Sequence, residues 1–472
     1  MRVDEVLGEL HGVTLYGDPA TEVTAVLHDS RAVTAGALFC CVRGATTDGH
    51  DHAPEAVRAG AAALLCERPL GLGVAEAVVA DTRRSMGTAA AAFHGHPSRA
   101  LQVVGVTGTN GKTTVTHLLA AVLRADGRPT EVIGTLSGAR TTPESTELQA
   151  QLAASRDAGT VAVAMEVSSH ALALDRVEGT EFAVAVFTNL SRDHLDFHTS
   201  MDDYFAAKSR LFLPGRSAVA VVNVDDPRGR HLLDAARIPT RTYALTDVTD
   251  LDVGFEMSTA TWRGRDLVVP LGGVFNVANA LAAATAALEL GVDPDTVVAG
   301  LAAAPPVPGR FEVIRAPGGP VVVVDYAHTP DGLEQVLLAA RRLAPRRLVV
   351  VFGCGGDRDR EKRPAMGAAA SRLADEVVVT SDNPRHEDPM AIIAAVVAGA
   401  EGPAPLVVEP DRRAAIALAL AGAGPADIVV VAGKGHETTQ AVGAQVLAFD
   451  DRVVVREELA RLGHVPADGW SS

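Results

Sequence analysis

Residues 106–114 read Val-Thr-Gly-Thr-Asn-Gly-Lys-Thr-Thr and directly follow an apolar run at 101–106. A strand that empties into a glycine-rich turn, then Lys and Thr, then a helical pattern makes a phosphate cradle. Backbone N–H groups of the turn and of the helix N-terminus converge there on anionic oxygens. Lys112 is placed to reach terminal phosphates, and the Thr113 hydroxyl to meet Mg2+. The strict form of the motif wants glycine at position 106. The chain has Val106 instead, with its glycines at 105, 108 and 111. A cradle of this kind joins a parallel strand to its crossover helix, so it commits this region to an α/β fold.

A chain of 472 residues is too long for one core, and about three domains is the expectation. With 42 basic against 58 acidic residues the net charge is −16, which argues against a nucleic-acid-binding face. Anionic small substrates remain open, because they need only a local basic pocket. The opening residues lack the apolar stretch of a signal peptide, and no run is long enough to span a bilayer. Cys40, Cys41, Cys66 and Cys354 have no CxxC spacing, so they read as reduced core thiols in a cytoplasmic protein.

Three parts are expected. Residues 1–98 carry short strands at 38–42 and 61–66 and a helix around 54–59, closing on the turn-rich His94-Gly95-His96-Pro97-Ser98. Residues 99–309 alternate strand and helix. Near-continuous apolar strands at 101–106, 161–167, 182–188 and 218–224 suit a parallel sheet covered on both faces, with helices at 115–124 and 275–290. Three prolines within 305–308 break the pattern. Residues 310–472 form a third α/β unit with strands at 321–324, 348–352, 376–380 and 428–431, and a helix starting at Thr329-Pro330. Ligands in such sheets sit at the carboxyl ends of strands.

Polar residues after the expected strands are therefore the candidates. Glu166 ends one apolar strand; it is either a salt-bridged strand-end residue or a metal ligand beside the phosphate loop. His194 follows the next strand and is the weaker Mg2+ ligand, since that ion prefers oxygen. Lys208 falls inside an apolar helical stripe with Tyr204, Phe205, Leu211 and Phe212. The pattern alone favours a snorkelling amine, although a sheltered neutral one could react with CO2 to give a carbamate. Arg140-Thr141-Thr142-Pro143 looks like an ordinary polar turn. Asn276 and Asn279, one helical turn apart, could read a base edge or cap the helix. Arg358, Arg385 and Glu437 follow three strands of the third unit, and such a trio suits a zwitterionic amino acid.

The loop Thr-Gly-Thr-Asn-Gly-Lys-Thr resembles that of the Mur ligase and folylpolyglutamate synthetase superfamily. The likeness to the Mur ligases runs from Asp29-Ser30-Arg31 to Gly433–Glu437. It includes Met165-Glu166-Val167-Ser168-Ser169-His170-Ala171-Leu172, residues 187–196 and Asp325-Tyr326-Ala327-His328-Thr329-Pro330. The resemblance implies a uridine-binding α/β domain at 1–98, a P-loop mononucleotide-binding parallel-sheet domain at 99–309 and a Rossmann-like amino-acid-binding domain at 310–472. It implies ATP contacts at Gly108, Thr109, Asn110, Gly111, Lys112, Thr113, Thr114, Asn276, Asn279, Arg310 and Asp325. Contacts to UDP-N-acetylmuramoyl-L-alanyl-D-glutamate would come from His28, Ser30, Ala45, Thr46, Thr47, Thr141, Thr142, Ser168 and Arg176. Lys208 matches the family's carbamylated lysine, which reverses the snorkelling preference. With Thr113, Glu166 and His194 it would hold about two Mg2+ ions, and Lys112, Glu166, His194 and Lys208 would be the catalytic residues. Arg358, Asp382, Asn383, Pro384, Arg385, Gly433 and Glu437 would bind meso-diaminopimelate. Asp-Asn-Pro-Arg is the version of that motif associated with this amino acid, and Arg385 can pair with its distal carboxylate.

The implied activity is ATP-dependent amide ligation in peptidoglycan precursor synthesis, by a cytoplasmic monomer without nucleic-acid or membrane partners. Leu174 and Arg140 depart from the polar residues that some relatives place there. A lysine-adding ligase, a folylpolyglutamate-type ligase and a nucleotide-binding switch without ligase activity are the alternatives.

Overall fold

The computed structural model describes residues 1–44, 47–344 and 346–464. The first sheet has the spatial order Thr14–Tyr16, Ala75–Val78, Ala63–Cys66, Ala37–Cys40, Ala25–Leu27. Only its first pair is antiparallel. All four cysteines are free and buried, and burial pushes the Cys66 thiol up to about 11. The thiols are therefore inert core fillers rather than a redox site.

The second sheet has six parallel strands in the order Thr240–Tyr243, Ser217–Asn223, Phe182–Phe187, Gln102–Thr107, Ala162–Glu166, Thr130–Ile133. Gln102–Thr107 lies between the strands that lead to His194 and to Glu166. The helix it feeds, Lys112–Ala125, carries Val115, Leu118, Leu119, Val122 and Leu123 on one face. That i, i+3, i+4, i+7 stripe is buried against helices Val274–Glu289 and Pro294–Ala302.

An antiparallel sheet, Val248–Val253, Ser258–Trp262 and Arg265–Val269, was not foreseen. Trp262, Leu267 and Val269 join the core beneath helix Val274–Glu289. The stretch 304–310 lies outside helices and strands.

The third sheet runs Glu312–Arg315, Val321–Asp325, Ile428–Ala432, Leu348–Phe352, Glu376–Val379, Leu406–Val408. All pairs but the first are parallel. Helix Pro330–Leu343 starts as expected, with the Thr329 hydroxyl accepting the Gly332 N–H. The stripe at 204–212 is not one helix: Met201–Ser209 is α-helical and Arg210–Phe212 is a 3-10 turn. Among the described residues no helix is long and apolar enough to cross a membrane.

Candidate active site

Gly108 (φ 151°) and Gly111 (φ 88°) bend the phosphate loop through backbone angles that L side chains avoid. A Cβ at Gly108 would collide with Thr188 Oγ1, and one at Gly111 with Asn279 Oδ1. The loop is pinned to the segment after the neighbouring strand. Asn110 N donates to Asn189 Oδ1 (2.9 Å), and Thr188 Oγ1 donates to Asn110 O (2.6 Å). Lys112 Nζ donates to Gly108 O (3.0 Å) and Thr109 O (2.9 Å). Burial and the Arg310 charge lower the Lys112 pKa against the pull of Glu166 and Asp193. Thr113 Oγ1 accepts from Arg310 Nη2 (2.9 Å), so an arginine of the third unit already reaches the loop.

A cleft of about 480 Å3 opens over this loop. Ligand sites commonly occupy roughly 300–1,000 Å3. It is lined by Thr109–Thr114, Asn276, Asn279, Arg310 and Asp325, so every expected nucleotide contact except Gly108 faces one space. Asn276 and Asn279 pair with each other, Asn279 Nδ2 donating to Asn276 Oδ1 (3.1 Å). Glu166, His194, Thr141 and Ser168 line the same cleft. The Asp325 carboxyl is pushed up by burial, against the Arg310 charge and the N–H groups of Phe311 and Ala327.

Glu166 is buried, with Oε1 accepting the Thr135 N–H (2.8 Å). His194 sits at φ 57°, its N–H donating to Asp193 Oδ1 (2.9 Å). Burial, with His170, Lys208 and Lys112 nearby, drives its imidazole down to about 3 against the pull of Asp193, so it is neutral at physiological pH.

Lys208 does not snorkel. It is 1% exposed, and Nζ donates to Gly108 O (2.7 Å) above the Tyr204 ring. Helix Met201–Ser209 thus sets the amine directly against the phosphate loop. Two amines, Lys208 and Lys112, converge on one carbonyl oxygen. Burial and the Lys112 charge push the Lys208 pKa far down, with Asp193 opposing.

Thr142 is buried behind the cleft, its hydroxyl donating to Glu166 O (2.9 Å) and accepting from Ser168 N (3.1 Å). The turn at 140–143 is thus built into the strand end rather than an ordinary polar turn. Arg176 pairs with Glu144 (2.9 Å), which Arg83 also meets (3.2 Å). His28 Nδ1 reaches across to Thr146 Oγ1 (2.7 Å). Ser30 begins a 3-10 turn capped by Asp29. Thr47 is exposed, and Ala45 and Thr46 lie outside the described residues.

The loops after Ile428–Ala432, Leu348–Phe352 and Glu376–Val379 emerge from three adjacent strands, which brings the amino-acid candidates together. Arg358 and Arg385 both pack against Gly355. Arg385 adopts φ 52° and its Nη1 donates to Gly356 O (2.7 Å). Asn383 Nδ2 donates to Glu437 Oε2 (2.7 Å), and Gly433 lies against Asp382. Pro384 backs onto Gly356. None of these seven residues lines the cleft over the phosphate loop.

Sequence reasoning missed the contacts between units. Asp193, 4% exposed, meets Lys362 Nζ (3.3 Å) and His328 Nε2 (3.6 Å) from the third unit. Asn110 Nδ2 donates to Asp331 Oδ2 (3.0 Å). The sequence separation of 169 from Asp193 to Lys362 leaves no local pattern to find. Lys434, between the expected contacts Gly433 and Glu437, is fully buried, and nothing in the local sequence marks that depth.

A phosphate loop between two metal-competent strand ends, facing a unit that presents guanidinium and carboxylate at its own strand ends, defines a nucleotide-using ligase of three α/β units. The chain belongs to the Mur ligase family, whose members are ATP-dependent, ADP-forming ligases. Residues 22–105 match the model for the Mur ligase family catalytic domain, 106–287 that for the Mur ligase middle domain, and 309–435 that for the Mur ligase glutamate ligase domain. The chain is 47% identical to the UDP-N-acetylmuramoyl-L-alanyl-D-glutamate--2,6-diaminopimelate ligase of Streptomyces coelicolor, over 94% of each protein. A solved structure of a ligase of that name superposes with a TM-score of 0.69 at 35% identity, covering 98% of this chain and 100% of that one. MurF from Thermotoga maritima in complex with ADP shares the fold, with a TM-score of 0.64 at 21% identity, 94% of this chain and 97% of that one.

Proposed function

We propose that this protein joins meso-2,6-diaminopimelate to UDP-N-acetylmuramoyl-L-alanyl-D-glutamate with hydrolysis of ATP to ADP and phosphate. The observation that carries the reading is Arg385 standing beside Arg358 at the ends of neighbouring strands, with Glu437 on the third. Two guanidinium groups match the two carboxylates of diaminopimelate, and Glu437 matches an ammonium. Lysine has one carboxylate and would leave Arg385 facing a second cation.

The D-glutamyl side-chain carboxylate attacks the γ-phosphorus of ATP, the bond to the β-phosphate oxygen breaks and ADP leaves. The amine of diaminopimelate then attacks the acyl-phosphate carbonyl carbon; phosphate departs and the amine gives up a proton. Loop N–H groups, Lys112 and Arg310 neutralise the transferring phosphoryl group, a task of positioning and charge more than of covalent chemistry. Asn276, Asn279 and Asp325 hold the nucleoside; Thr141, Thr142, Ser168 and Arg176 hold the dipeptide; His28, Ser30 and the 45–47 turn hold the uridine end. The units 1–98, 99–309 and 310–472 thereby take the UDP-sugar, ATP and the amino acid.

Thr113, Glu166, His194 and Lys208 as its carbamate would hold Mg2+. Among the described residues Glu166 Oε2 makes no hydrogen bond, which leaves one oxygen of this cleft-lining carboxylate available. No cluster of three His, Cys, Asp or Glu side chains is assembled among the described residues. Bound with ATP, Mg2+ supplies charge neutralisation. The reliance on ATP points to a cytoplasmic setting.

The test is phosphate release from ATP with the UDP-muramoyl-dipeptide and either diaminopimelate or L-lysine. Release should require the dipeptide and be far faster with diaminopimelate. Equal rates with lysine, or release indifferent to the dipeptide, would defeat the reading.

A further inference from the structure

Beneath the amino-acid candidates lies a lysine to which the proposed reaction gives no task. Lys434 directly follows Gly433 and is fully buried. Its Nζ donates to Thr439 O (2.6 Å), Glu437 Oε2 (3.0 Å) and Asn383 Oδ1 (3.2 Å). An ammonium has three donors, so all are engaged. Two of the acceptors belong to residues assigned above to the amino acid.

The contacts specify both side chains. Asn383 Oδ1 accepts from Lys434 and from Ala441 N (3.0 Å), so its amide nitrogen is turned to Glu437 Oε2. Glu437 Oε2 is thereby taken twice, and Oε1 is left for an incoming ammonium. Burial pushes the Glu437 carboxyl up, but Lys434 and the Asn383 amide overcome it and hold it below its ordinary range.

The third acceptor, Thr439 O, opens the hairpin Thr439–Val442 and Gln445–Ala448. That hairpin grips the 382–385 motif: Gln440 Nε2 donates to Asp382 O (2.7 Å) and Arg385 N to Ala441 O (3.0 Å). Arg385 is thereby held in its left-handed conformation. From behind, Arg412, paired with Asp451 at zero side-chain exposure, donates to Ser381 O (3.2 Å) and Ala432 O (3.0 Å). These carbonyls immediately precede Asp382 and Gly433.

A buried ammonium is a poor device for stability, since an apolar side chain of similar size often serves as well. It earns its place by orientation, as outer contacts do for a site's direct ligands. We propose that Lys434 is a positioning residue for the amino-acid substrate, fixing the Asn383 amide, the Glu437 carboxylate and the hairpin that aims Arg385, without touching the substrate. This rests on the ligase reading above.

The experiment compares full-length wild type with Lys434→Met and Lys434→Arg. Two reactions are followed: dipeptide-dependent ADP–ATP exchange without amino acid, and complete ligation with each substrate varied. Lys434→Met should keep exchange and the KM for ATP within about twofold of wild type, and raise the KM for diaminopimelate by about 10–100-fold. Lys434→Arg, which keeps the charge and donors, should fall between. An unchanged KM for diaminopimelate in folded Lys434→Met overturns the proposal. So does a parallel loss of exchange and of every KM, which marks a merely structural role. If Lys434→Met does not fold, Lys434→Gln is judged by the same criteria, and failure of both to fold also overturns it. Wild type that ligates no amino acid defeats the ligase reading and this proposal together, whereas active wild type with an indifferent variant defeats this proposal alone.

Discussion

His194 lines the cleft over the phosphate loop as a neutral imidazole, and the Lys208 amine beneath that loop is pushed well down from its ordinary range; burial is the leading cause for both, with Asp193 opposing and Lys112 adding to it. A neutral buried amine is the form that adds CO2, forming an N–C bond and releasing a proton. Lys208→Ala should therefore lower kcat of ligation by about 100-fold or more while the protein stays folded. Near-normal turnover in a steady-state assay would refute the assigned role. The imidazoles make a second prediction. His194 titrates near about 3 and His170 near about 4, against 6.5 for the free side chain. Burial is the leading cause for both. Above the ordinary value neither state holds the proton, so stability does not change. Below it the unfolded chain takes up protons that the native protein refuses. Stability is then lost as pH falls from about 6.5 towards about 4, by up to roughly 1.4 kcal/mol per pH unit for each such imidazole. Urea unfolding across that range should show the slope, and His170→Gln should flatten it by about one proton.

The phosphate loop works because three consecutive strand ends meet around it, and its glycines are where the fit is tightest. Gly111→Ala adds a Cβ into Asn279 Oδ1 at a backbone angle alanine avoids. Such strain is worth about 1–3 kcal/mol, and thermal unfolding should report it. Calorimetry should show ATP affinity falling by about tenfold or more, because the loop and the paired amides can no longer sit as they do. The central parallel strands were legible because they are apolar on both faces, as in 348–352, all of it buried, whereas the edge strands Thr130–Ile133, Thr240–Tyr243 and Leu406–Val408 are only partly buried and were not. The antiparallel strand Val248–Val253 was not, because only Val248 is buried and no alternation survives in its sequence. Hairpin strand Gln445–Ala448 is exposed throughout and carries no burial signal at all. Both were invisible to a reading built on hydrophobic pattern.

Specific polar contacts join the central and third units: Asp193 with Lys362 and His328, Asn110 with Asp331, Thr113 with Arg310, Arg192 with Glu361 and Arg315 with Glu256, alongside the packing of Phe275 on Phe311. Lys362 opens the helix Lys362–Leu373, a few residues after Arg358, and Asp193 precedes His194. This ion pair, with that of Arg192 and Glu361, therefore couples the loop carrying Arg358 to the loop carrying His194. Lys362→Met should leave each unit folded but let them separate, which small-angle scattering would register as a larger radius of gyration. The kcat of ligation should drop by about 10–100-fold, since misplacing reactants by an ångström is enough. An unchanged kcat would show that the pair does not hold the two units in register.

The α/β class, the phosphate loop and the three polar motifs at strand ends could be read directly from the chain. Each is written in contiguous residues, where turn chemistry and apolar periodicity act locally. Glu166, His194 and the Arg358, Arg385 and Glu437 trio were named on that basis, and the strand order then made neighbours of them. The depth of Lys208, the carboxylate shared by Lys362 and His328, and the three acceptors of Lys434 emerged only from the packed fold. Partners that stand far apart along the chain meet only after sheets have chosen their order, and a side chain's charge state follows from what surrounds it there.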